Sequence, residues 1–383
     1  MKNILLLGVT GSIGKSVLSV ISQNKDKFNL IGIGFSTNIS IAKKIINDFS
    51  PKYVHIDDRD CFIKQIDNKH CSFMNGDSNL EELIKLDEVD IIICATSGFA
   101  GLKAASIAVT TGKKILLANK ESIVAGGDLI MPLAKKHNSE IVPIDSEHNA
   151  IFQCLSGENG TEDVQRVIIT ASGGPFLNLS ISNLENITLE EALNHPNWEM
   201  GKKITIDSAT LVNKCLELIE AKYLFDLDEQ MFQLVVHPQS IIHSIVTYKD
   251  GSSICQMCAP DMRVPIAHGL SENKRIPISF DELDFTRLNL SFQEFPTDRM
   301  EIQNIARQVC NNGTNYGAVF NAANEIAVDS FINGQIKFSE IYEVIYRTFD
   351  KNNVSNDLSL DSISDIDKET RIEAKKVVKS ISK

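Results

Sequence analysis

Apolar residues in the first 145 positions form short runs, separated by longer stretches with the spacing of amphipathic helices. The runs predict six strands: Asn3–Leu7, Leu30–Phe35, Tyr53–Ile56, Asp90–Ala95, Lys114–Ala118 and Glu140–Ile144. Strands that alternate with helices form a parallel sheet covered on both faces. Residues 1–145 are therefore predicted to be an α/β domain.

The pattern changes after residue 145. Mixed helices and strands, with a hairpin over Ile241–Cys258 that turns at Lys249–Gly251, predict a second, α+β domain over residues 146–270. Residues 271–297 contain two prolines and little periodicity, which predicts a linker. Helical periodicity then predicts a C-terminal α-helical bundle over residues 298–383, with Ser339 as a candidate cap. Its expected apolar faces are Ile341, Tyr342, Val344 and Ile345, and Ala374, Val378 and Ile381.

A glycine-rich turn with the sequence GVTGSIG, Gly8–Gly14, joins the first predicted strand to the first predicted helix. Glycines in such a turn allow backbone N–H groups and the helix N-terminus to approach a pyrophosphate. A glycine triplet alone is a weak signal, but its place between strand and helix strengthens it. The turn predicts a Rossmann-like dinucleotide-binding domain.

The second predicted strand ends in Phe35, followed by Ser36, Thr37 and Asn38. An acidic residue at this place would bind the ribose 2′-hydroxyl of NAD and repel a 2′-phosphate. Its absence favours NADPH, although no lysine or arginine replaces it. We expect Thr37 and Asn38 to donate hydrogen bonds to the cofactor.

Two carboxylates, Asp145 and Glu147, follow the last of the six strands. Ligands bind at the carboxyl ends of strands in open α/β sheets. Two acids that share one crevice repel each other unless a cation lies between them, and a hard divalent cation prefers oxygen ligands. The alternative is a helix N-terminus, where Asp145 and Ser146 are good caps. On this segment alone both interpretations stay open.

A single helix is predicted over Ser208–Glu220, with a narrow polar face in an otherwise apolar circumference. Such a helix is largely buried, so its polar face should meet a polar cavity. The shared face consists of Thr210, Asn213, Lys214 and Glu217. Glu217 would add a third carboxylate to Asp145 and Glu147, whereas Lys214, Asn213 and Ser208 would suit a phosphate. The alternative is a surface ion pair between Lys214 and Glu217.

Three further segments suit a phosphate-binding and hydride-transfer site. Ser172 follows the strand Val167–Ile169, and Lys120 follows another strand. The loop His195–Lys202 holds the only tryptophan, Trp198, and suits a lid. The alternatives are a simple turn, an ordinary loop lysine and a tryptophan that anchors a core.

Composition limits the possible partners. The 383 residues carry a formal net charge of −12, which argues against a nucleic-acid or anionic-membrane surface. No apolar run approaches the ~20 residues that cross a bilayer. Because the first strand begins at Asn3, we expect no signal or transit peptide and a cytoplasmic location. Of eight cysteines only Cys255 and Cys258 are closely spaced, and no second pair completes a zinc site, so their role is interpreted as structural.

Taken together, these segments resemble the 1-deoxy-D-xylulose 5-phosphate reductoisomerase family over nearly the whole chain. The shared motifs are GVTGSIG at Gly8–Gly14, LLANKES at Leu116–Ser122, PIDSEHNAIFQ at Pro143–Gln153, TASGGPF at Thr170–Phe176, HPNWEMGKKITIDSATLVNKCLE at His195–Glu217, HPQSIIHSIV at His237–Val246, PDMRVPIAH at Pro260–His268 and NAANEIAV at Asn321–Val328. The resemblance implies an NADPH-dependent enzyme that uses Mg²⁺ or Mn²⁺. Its reaction would rearrange 1-deoxy-D-xylulose 5-phosphate and reduce the product to 2-C-methyl-D-erythritol 4-phosphate, in the non-mevalonate isoprenoid route. A central catalytic domain with a flap at residues 195–203 and a homodimer are also implied.

The resemblance also assigns roles to individual residues. The implied metal ligands are Asp145, Glu147 and Glu217, which with Lys120 form the catalytic set. The implied substrate contacts are Lys120, Ser146, Glu147, Ser172, His195, Ser208, Asn213, Lys214 and Glu217. Trp198 and Met200 would lie in the flap, and His243 would support the site. The implied cofactor contacts are Thr10, Gly11, Ser12, Ile13, Asn119, Glu121 and Gly201.

Three positions depart from the family pattern. Val9 replaces a serine, Cys215 replaces a glycine, and Thr37 stands where a basic residue often meets the 2′-phosphate. Only Thr37 affects a functional expectation, because selectivity against NADH should then be weaker.

The expected chemistry agrees with these residue types. Rearrangement of a ketose phosphate needs a Lewis acid that binds neighbouring oxygen atoms, and Lys120 can stabilise oxyanion charge. An ordinary NAD(P)-dependent dehydrogenase would explain the glycines but not the three acids. A nucleotide-sensing binding module with a helical dimerisation bundle would show no turnover.

Overall fold

The computed structural model describes residues 1–58, 60–61, 70–158, 160–272, 274–351 and 357–382. The chain forms two compact units, and each consists of several segments. The first contains residues 1–119, 130–149 and 261–280, and the second contains residues 120–129, 150–260 and 281–383. Residues 261–280, which include most of the PDMRVPIAH motif, thus belong to the first unit. The division into three domains and a linker stays a prediction.

A seven-stranded parallel sheet organises the first unit, in the order β4-β3-β2-β1-β5-β6-β7. Its strands are β1 (Lys2–Leu7), β2 (Phe28–Phe35), β3 (Tyr53–Ile56), β4 (Ser72–Met74), β5 (Ile91–Cys94), β6 (Lys114–Leu117) and β7 (Glu140–Pro143). The six strands predicted from sequence are confirmed. β4 was not predicted, because three residues without full burial leave no apolar run.

Helices connect these strands. They are α1 (Ser12–Gln23), α2 (Ile39–Phe49), α3 (Asp77–Lys85), α4 (Gly101–Ala108), α5 (Lys120–His137) and α6 (Ser146–Leu155). The central strands are apolar on both faces; Ile4, Leu5, Ile92 and Ile93 have no exposed surface. Continuous burial of this kind is expected for a parallel sheet covered on both sides.

The second unit contains a five-stranded mixed sheet in the order β11-β10-β8-β9-β12. Its strands are β8 (Val164–Ala171), β9 (Phe232–Val236), β10 (Ile242–Tyr248), β11 (Ser253–Met257) and β12 (Gln293–Glu294). β10 and β11 form the predicted hairpin, and its turn is closed by a hydrogen bond from the N–H of Tyr248 to the carbonyl of Ser252. Cys255 is exposed in β11, and Cys258 follows the strand; the structural interpretation of the two cysteines stays a prediction.

The second unit also contains helices, joined by irregular chain. They are α7 (Leu189–Leu193), α8 (Lys202–Ala209) and α9 (Val212–Phe225), then α11 (Met300–Asn312), α12 (Thr314–Ile332), α13 (Glu340–Phe349) and α14 (Leu360–Ile381); α10 (Arg263–Leu270) belongs to the first unit. The predicted apolar faces of α13 and α14 are buried, apart from the half-exposed Ile381. Ser339 occupies the N-cap position of α13 as predicted, but its backbone is already helical and its side chain makes no capping hydrogen bond. Among the described residues no helix has the length and apolarity to cross a membrane.

Candidate active site

The glycine turn of the first unit needs its glycines for steric reasons. Gly8 has a φ of +85°, and a Cβ there would lie 2.3 Å from the carbonyl oxygen of Ala95. A Cβ on Gly14 would lie 2.3 Å from the carbonyl oxygen of Val9, so α1 could not pack this closely on the turn. Gly11 differs, since its Cβ would be no closer than 3.4 Å to any atom. Gly8 and Gly14 shape the turn, whereas Gly11 leaves it open.

The N-terminus of α1 fits a phosphate group. Gly11 is the N-cap residue and no side chain caps the helix, so the first N–H groups are not occupied by a capping oxygen. Unpaired N–H groups and the helix dipole attract an anion at this end. Gly11 and Ser12 are exposed, and Thr10 and Ile13 are half-buried. These four of the predicted dinucleotide contacts thus lie together at the N-terminal end of α1.

The end of β2 presents three exposed polar residues, Ser36, Thr37 and Asn38. Asn38 has a structural role that sequence reasoning missed: its Oδ1 accepts hydrogen bonds from the N–H of Ile41 at 3.2 Å and from Ser40 Oγ at 3.0 Å, and so caps α2. Its amide N–H₂ group is the part that could meet a phosphate. Thr37 is exposed and carries no positive charge, so it would offer a 2′-phosphate only a neutral donor.

Asp145 and Glu147 lie at the junction of β7 and α6. Asp145 Oδ1 accepts a hydrogen bond from the N–H of Glu147 at 3.2 Å and lies 3.0 Å from His148 Nδ1. Ser146 Oγ donates to Glu147 Oε2 at 2.6 Å. The capping interpretation of Asp145 is thus confirmed, but a carboxylate has about four lone-pair sites, so capping does not prevent metal binding. Both carboxylates are half-buried.

The prediction of one helix over Ser208–Glu220 is wrong. α8 ends at Ala209 and α9 begins at Val212, because Leu211 adopts the left-handed conformation, with a φ of 63°. The hydroxyl of Thr210 donates to the carbonyls of Ile206 and Asp207. Thr210 therefore closes α8 instead of joining the polar face of α9, and Ser208 lies in the last turn of α8.

A buried charged cluster is formed by the N-terminus of α5 and the polar face of α9. Lys120 Nζ donates to Asn213 Oδ1 at 2.7 Å and to Glu217 Oε1 at 3.0 Å, and Lys214 Nζ donates to Glu217 Oε2 at 2.7 Å. Asn213 Nδ2 also donates to Glu217 Oε1 at 2.6 Å. The two lysine side chains are 5% and 6% exposed and Glu217 is 1% exposed. The predicted alternative of a surface ion pair is wrong, since the pair exists but is buried.

Burial gives this cluster its significance. Removing three charged groups from water costs several kcal/mol per ion, and mutual attraction returns only part of that. An apolar face of similar volume would stabilise the helix pair at least as well. Such a cluster therefore indicates a site prepared for charged ligands.

Ser172, His195 and Ser208 form a second group in the same unit. His195 Nε2 lies 3.0 Å from Ser172 Oγ and 3.1 Å from Ser208 Oγ. Its Nδ1 accepts hydrogen bonds from the N–H groups of Asn197 and Trp198, each at 3.1 Å. Burial, aided by the positive charge of Lys214, lowers the pKa of His195 to about 4. The neutral ring therefore carries its proton on Nε2, where it can donate to a serine or to a phosphate oxygen.

The TASGGPF segment brings this group together through its glycines. Gly174 has a φ of +66°, and a Cβ there would lie 2.9 Å from Ser208 O and Ala209 Cα. The backbone thus passes directly against the end of α8, and Ser172 Oγ lies 3.5 Å from Ser208 Oγ. The segment is more than a simple turn because it sets the spacing of the two hydroxyls.

The predicted flap begins as irregular chain, but Lys202 and Lys203 already belong to α8. Trp198 is half-buried, and its ring centroid lies 6.0 Å from that of His243 in an edge contact. Met200 is half-buried and Gly201, the N-cap residue of α8, is exposed. His243 is 2% exposed and lies 3.4 Å from Cys258 Sγ. Movement of this segment stays a prediction.

Two predicted cofactor residues are buried at the junction of β6 and α5. Asn119, in the first unit, donates from Nδ2 to the carbonyl of Gly98 at 3.0 Å. Glu121, in the second, accepts from Lys203 Nζ at 2.9 Å. Burial raises the pKa of Glu121, but the positive charge of Lys203 outweighs it and the carboxyl is held below its ordinary pKa. Sequence reasoning missed Lys203, whose partner is 82 positions away in the chain.

Comparisons with known proteins agree with this arrangement. Family models match three segments: 1-deoxy-D-xylulose 5-phosphate reductoisomerase at residues 4–127, the C-terminal domain of that enzyme at residues 141–225, and a further DXP reductoisomerase C-terminal domain at residues 257–373. The 1-deoxy-D-xylulose 5-phosphate reductoisomerase of Thermoanaerobacter pseudethanolicus is 42% identical over 97% of this chain and 98% of its own length.

Solved structures show the same similarity. A DOX-P reductoisomerase in complex with NADPH, fosmidomycin and magnesium has a TM-score of 0.91 and 37% identity, over 99% of this chain and 98% of that one. The Zymomonas mobilis enzyme in complex with NADPH has a TM-score of 0.91 and 38% identity, over 99% of both chains. The predicted fold class is thereby confirmed. The chain belongs to the 1-deoxy-D-xylulose 5-phosphate reductoisomerase family.

Proposed function

We propose that this protein converts 1-deoxy-D-xylulose 5-phosphate into 2-C-methyl-D-erythritol 4-phosphate, with NADPH and Mg²⁺ or Mn²⁺, in the non-mevalonate isoprenoid route. The observation that carries the proposal is the buried cluster of Lys120, Asn213, Lys214 and Glu217. An ordinary dehydrogenase needs the glycine turn but has no use for such a cluster. The similarity to relatives of the same name over almost the full length supports the same conclusion.

Asp145, Glu147 and Glu217 are proposed to bind one divalent cation. All three donors are carboxylates, which suit a hard cation such as Mg²⁺ or Mn²⁺. When bound, the cation supplies Lewis-acid polarisation of neighbouring oxygen atoms, and NADPH supplies the hydride. The attachment of Glu217 to two lysines fixes its carboxylate before any ligand arrives.

The substrate phosphate is proposed to bind Ser172, His195, Ser208, Asn213 and Lys214, with Ser146 beside the sugar. The three-membered group of Ser172, His195 and Ser208 supports this, since two hydroxyls and an Nε2–H are donors spaced about 3 Å apart. The neutral state of His195 keeps that proton in place across the physiological pH range.

Lys120 is proposed to act on the reacting part of the substrate. Its ammonium is 5% exposed and is oriented by Asn213 and Glu217. A fixed cation in a site with little water stabilises negative charge as it develops on an oxygen atom, and costs no reorganisation at that moment. Trp198 and Met200 would cover the substrate, and His243 would support Trp198.

The cofactor is proposed to lie on the glycine turn, with contacts to Thr10, Gly11, Ser12 and Ile13. The uncapped α1 N-terminus supports a pyrophosphate there, and Thr37 and Asn38 would meet the 2′-phosphate. Asn119, Glu121 and Gly201 are the remaining proposed contacts.

A homodimer in the cytoplasm completes the proposal. The outward face of the second sheet supports self-association, because Ile168 and Ile245 are paired side by side on it and neither is fully buried. Sedimentation of the purified protein would test the stoichiometry.

One assay tests the central claim. Purified protein should oxidise NADPH when 1-deoxy-D-xylulose 5-phosphate and Mg²⁺ are both present, and should stop when the metal is chelated. Product analysis must show the branched polyol phosphate. Reduction without rearrangement would favour an ordinary dehydrogenase, and NADPH binding without turnover would favour a sensing module.

A further inference from the structure

A buried polar chain in the second unit links Glu121 to the helix end that carries Ser208. Lys203 Nζ lies 2.9 Å from Glu121 Oε1 and 2.8 Å from Asp207 Oδ2. Asp207 Oδ1 in turn accepts a hydrogen bond from Asn324 Nδ2 at 2.9 Å. Three helices, α5, α8 and α12, are thus joined through four side chains.

Burial makes this chain rigid. Asp207 is 1% exposed, Asn324 has no exposed surface and Glu121 is 7% exposed. Burial lowers the pKa of Lys203, but the charges of Asp207 and Glu121 outweigh it and hold the pKa above its ordinary value. Lys203, whose side chain is 25% exposed, therefore stays protonated, and losing either carboxylate would remove one of its two anionic partners.

Each end of the chain adjoins a proposed ligand contact. Asp207 is the residue before Ser208, and both of its carboxylate oxygens are held, so the last turn of α8 is fixed. Glu121 is the residue after Lys120, in the first turn of α5. A shift of Glu121 that moves Lys203 would also move Asp207, and with it Ser208.

We propose that Lys203, Asp207 and Asn324 are positioning residues that couple cofactor binding at Glu121 to phosphate binding at Ser208. The coupling rests on the proposed function, which places NADPH at Glu121 and the substrate phosphate at Ser208. Because the chain is rigid, a ligand that holds Glu121 in its bound position also holds Asp207 and Ser208 in theirs, so each ligand binds more tightly in the presence of its partner. None of the three residues needs to touch either ligand.

Calorimetry tests the coupling with two probes, NADPH and fosmidomycin, in buffer that contains Mg²⁺. These are the ligands present together in the related DOX-P reductoisomerase structure, and fosmidomycin serves as the probe of the substrate site. The measured quantity is the ratio of the NADPH Kd without fosmidomycin to its Kd with saturating fosmidomycin. We expect a ratio of about ten in the native protein, within the usual range for coupled sites. Asp207→Asn, Asn324→Leu and Lys203→Met each break a contact of the chain. In these variants the ratio should therefore fall to about two or less.

The variants are chosen to separate positioning from folding. Lys203→Met leaves two carboxylates without their cation and can unfold the protein, so Lys203→Arg serves as its conservative partner and should restore most of the ratio. Asp329→Asn is the matched control, since Asp329 is exposed on α12 and its carboxylate accepts a hydrogen bond from the nearby Asn333, away from the chain. Thermal denaturation confirms that each variant is folded before the ratio is compared.

The outcomes distinguish a failure of the coupling from a failure of the proposed function on which it rests. A native ratio near one, or a ratio that persists in folded Asp207→Asn and Asn324→Leu, overturns the coupling and leaves the proposed function standing. If the native protein binds neither probe, both fail. A ratio lost in these variants but kept in Asp329→Asn and Lys203→Arg supports the positioning role.

Discussion

The glycine turn of the first unit and the charged cluster of the second prepare for ligands in opposite ways. In the turn the important property is the absence of side chains, because a single Cβ at Gly8 or Gly14 would collide with backbone. In the cluster it is the presence of charge, because Lys120, Lys214 and Glu217 compensate one another while nearly excluded from water. Stability and ligand binding at the turn should therefore change when a substitution adds side-chain volume and hardly change when it alters charge. At the cluster, a substitution that alters charge should have the larger effect.

The largest expected effect comes from a change of charge without a change of volume, Glu217→Gln. It leaves two buried lysines without their anion and removes a proposed metal ligand. We expect kcat to fall at least about a hundredfold, since even partners of metal ligands contribute 10–100-fold, while the NADPH Kd stays within about twofold. Steady-state kinetics and calorimetry measure the two quantities. Glu343→Gln, on the exposed face of α13, is the control and should keep native activity. Full activity of Glu217→Gln, or full activity of the native protein in excess chelator, would refute the assignment.

The converse change adds volume without charge in the turn. Gly8→Ala should lower the free energy of unfolding by about 2 kcal/mol or more, because a left-handed alanine costs roughly 1–2 kcal/mol and the added carbon meets backbone. Gly11→Ala has room for its Cβ, so we expect it to unfold like the native protein yet to bind NADPH more weakly. Chemical denaturation gives the free energy of unfolding, and NADPH titration gives the Kd for the cofactor. Equal stability of the two variants would show that the turn tolerates volume after all.

A smaller effect is expected where charge is added to an exposed position, Thr37→Lys. A lysine can form a charge-assisted hydrogen bond with the 2′-phosphate, so the NADPH Kd should fall about tenfold, equivalent to roughly 1.4 kcal/mol. The NADH Kd should hardly change. Thr37→Met supplies similar length without the charge. A preference of the native protein for NADH, measured as kcat/KM, would contradict the proposed role of this loop.

The smallest expected effect concerns Trp198, the only tryptophan. We expect the loop that carries Trp198 to reorganise when substrate binds and the glycine turn to stay unchanged. Fosmidomycin should then shift the tryptophan emission by a few nanometres, whereas NADPH alone should leave its wavelength unchanged. Trp198→Phe, which should lose the emission altogether, identifies its source. If saturating fosmidomycin changes neither the emission of Trp198 nor the rate of proteolysis in the loop, the result would count against a closing flap.

The same contrast explains what the sequence could predict. The parallel sheet and the glycine turn depend on local patterns, so six strands of the sheet and the place of the turn between β1 and α1 could be recognised from spacing alone. The break at Leu211 has no glycine or proline to announce it, and the chain accepts a left-handed leucine because its side chain is 2% exposed in the core. The protonation of His195 on Nε2 likewise depends on two backbone N–H groups that only the folded loop brings to its Nδ1.

The cluster itself lies between these extremes. Sequence spacing placed Asn213, Lys214 and Glu217 on one face, and this is confirmed. That Lys120 would join them could not be derived from spacing, because its partner Glu217 lies 97 positions away. In the network of Lys203, Asp207 and Asn324 the first two residues are four positions apart on α8, but Asn324 lies 117 positions from Asp207, so spacing alone could not place it there.

The return of residues 261–280 to the first unit has a consequence for synthesis of the chain on the ribosome. α10 completes that unit: Lys114 Nζ donates to the carbonyl of Ser271 at 2.8 Å, and Asn149 Nδ2 lies 3.2 Å from His268 Nδ1. Gly269 lies so close to Leu116 and Ile144 that a Cβ there would be 3.1 Å from Ile144. A nascent chain that has emerged only as far as residue 260 has every strand of the parallel sheet but not the helix that covers this apolar surface. The first unit therefore stays incomplete, with apolar surface exposed, until residues 261–280 have left the ribosome. Chaperones that bind exposed apolar surface can bind the nascent chain during that interval.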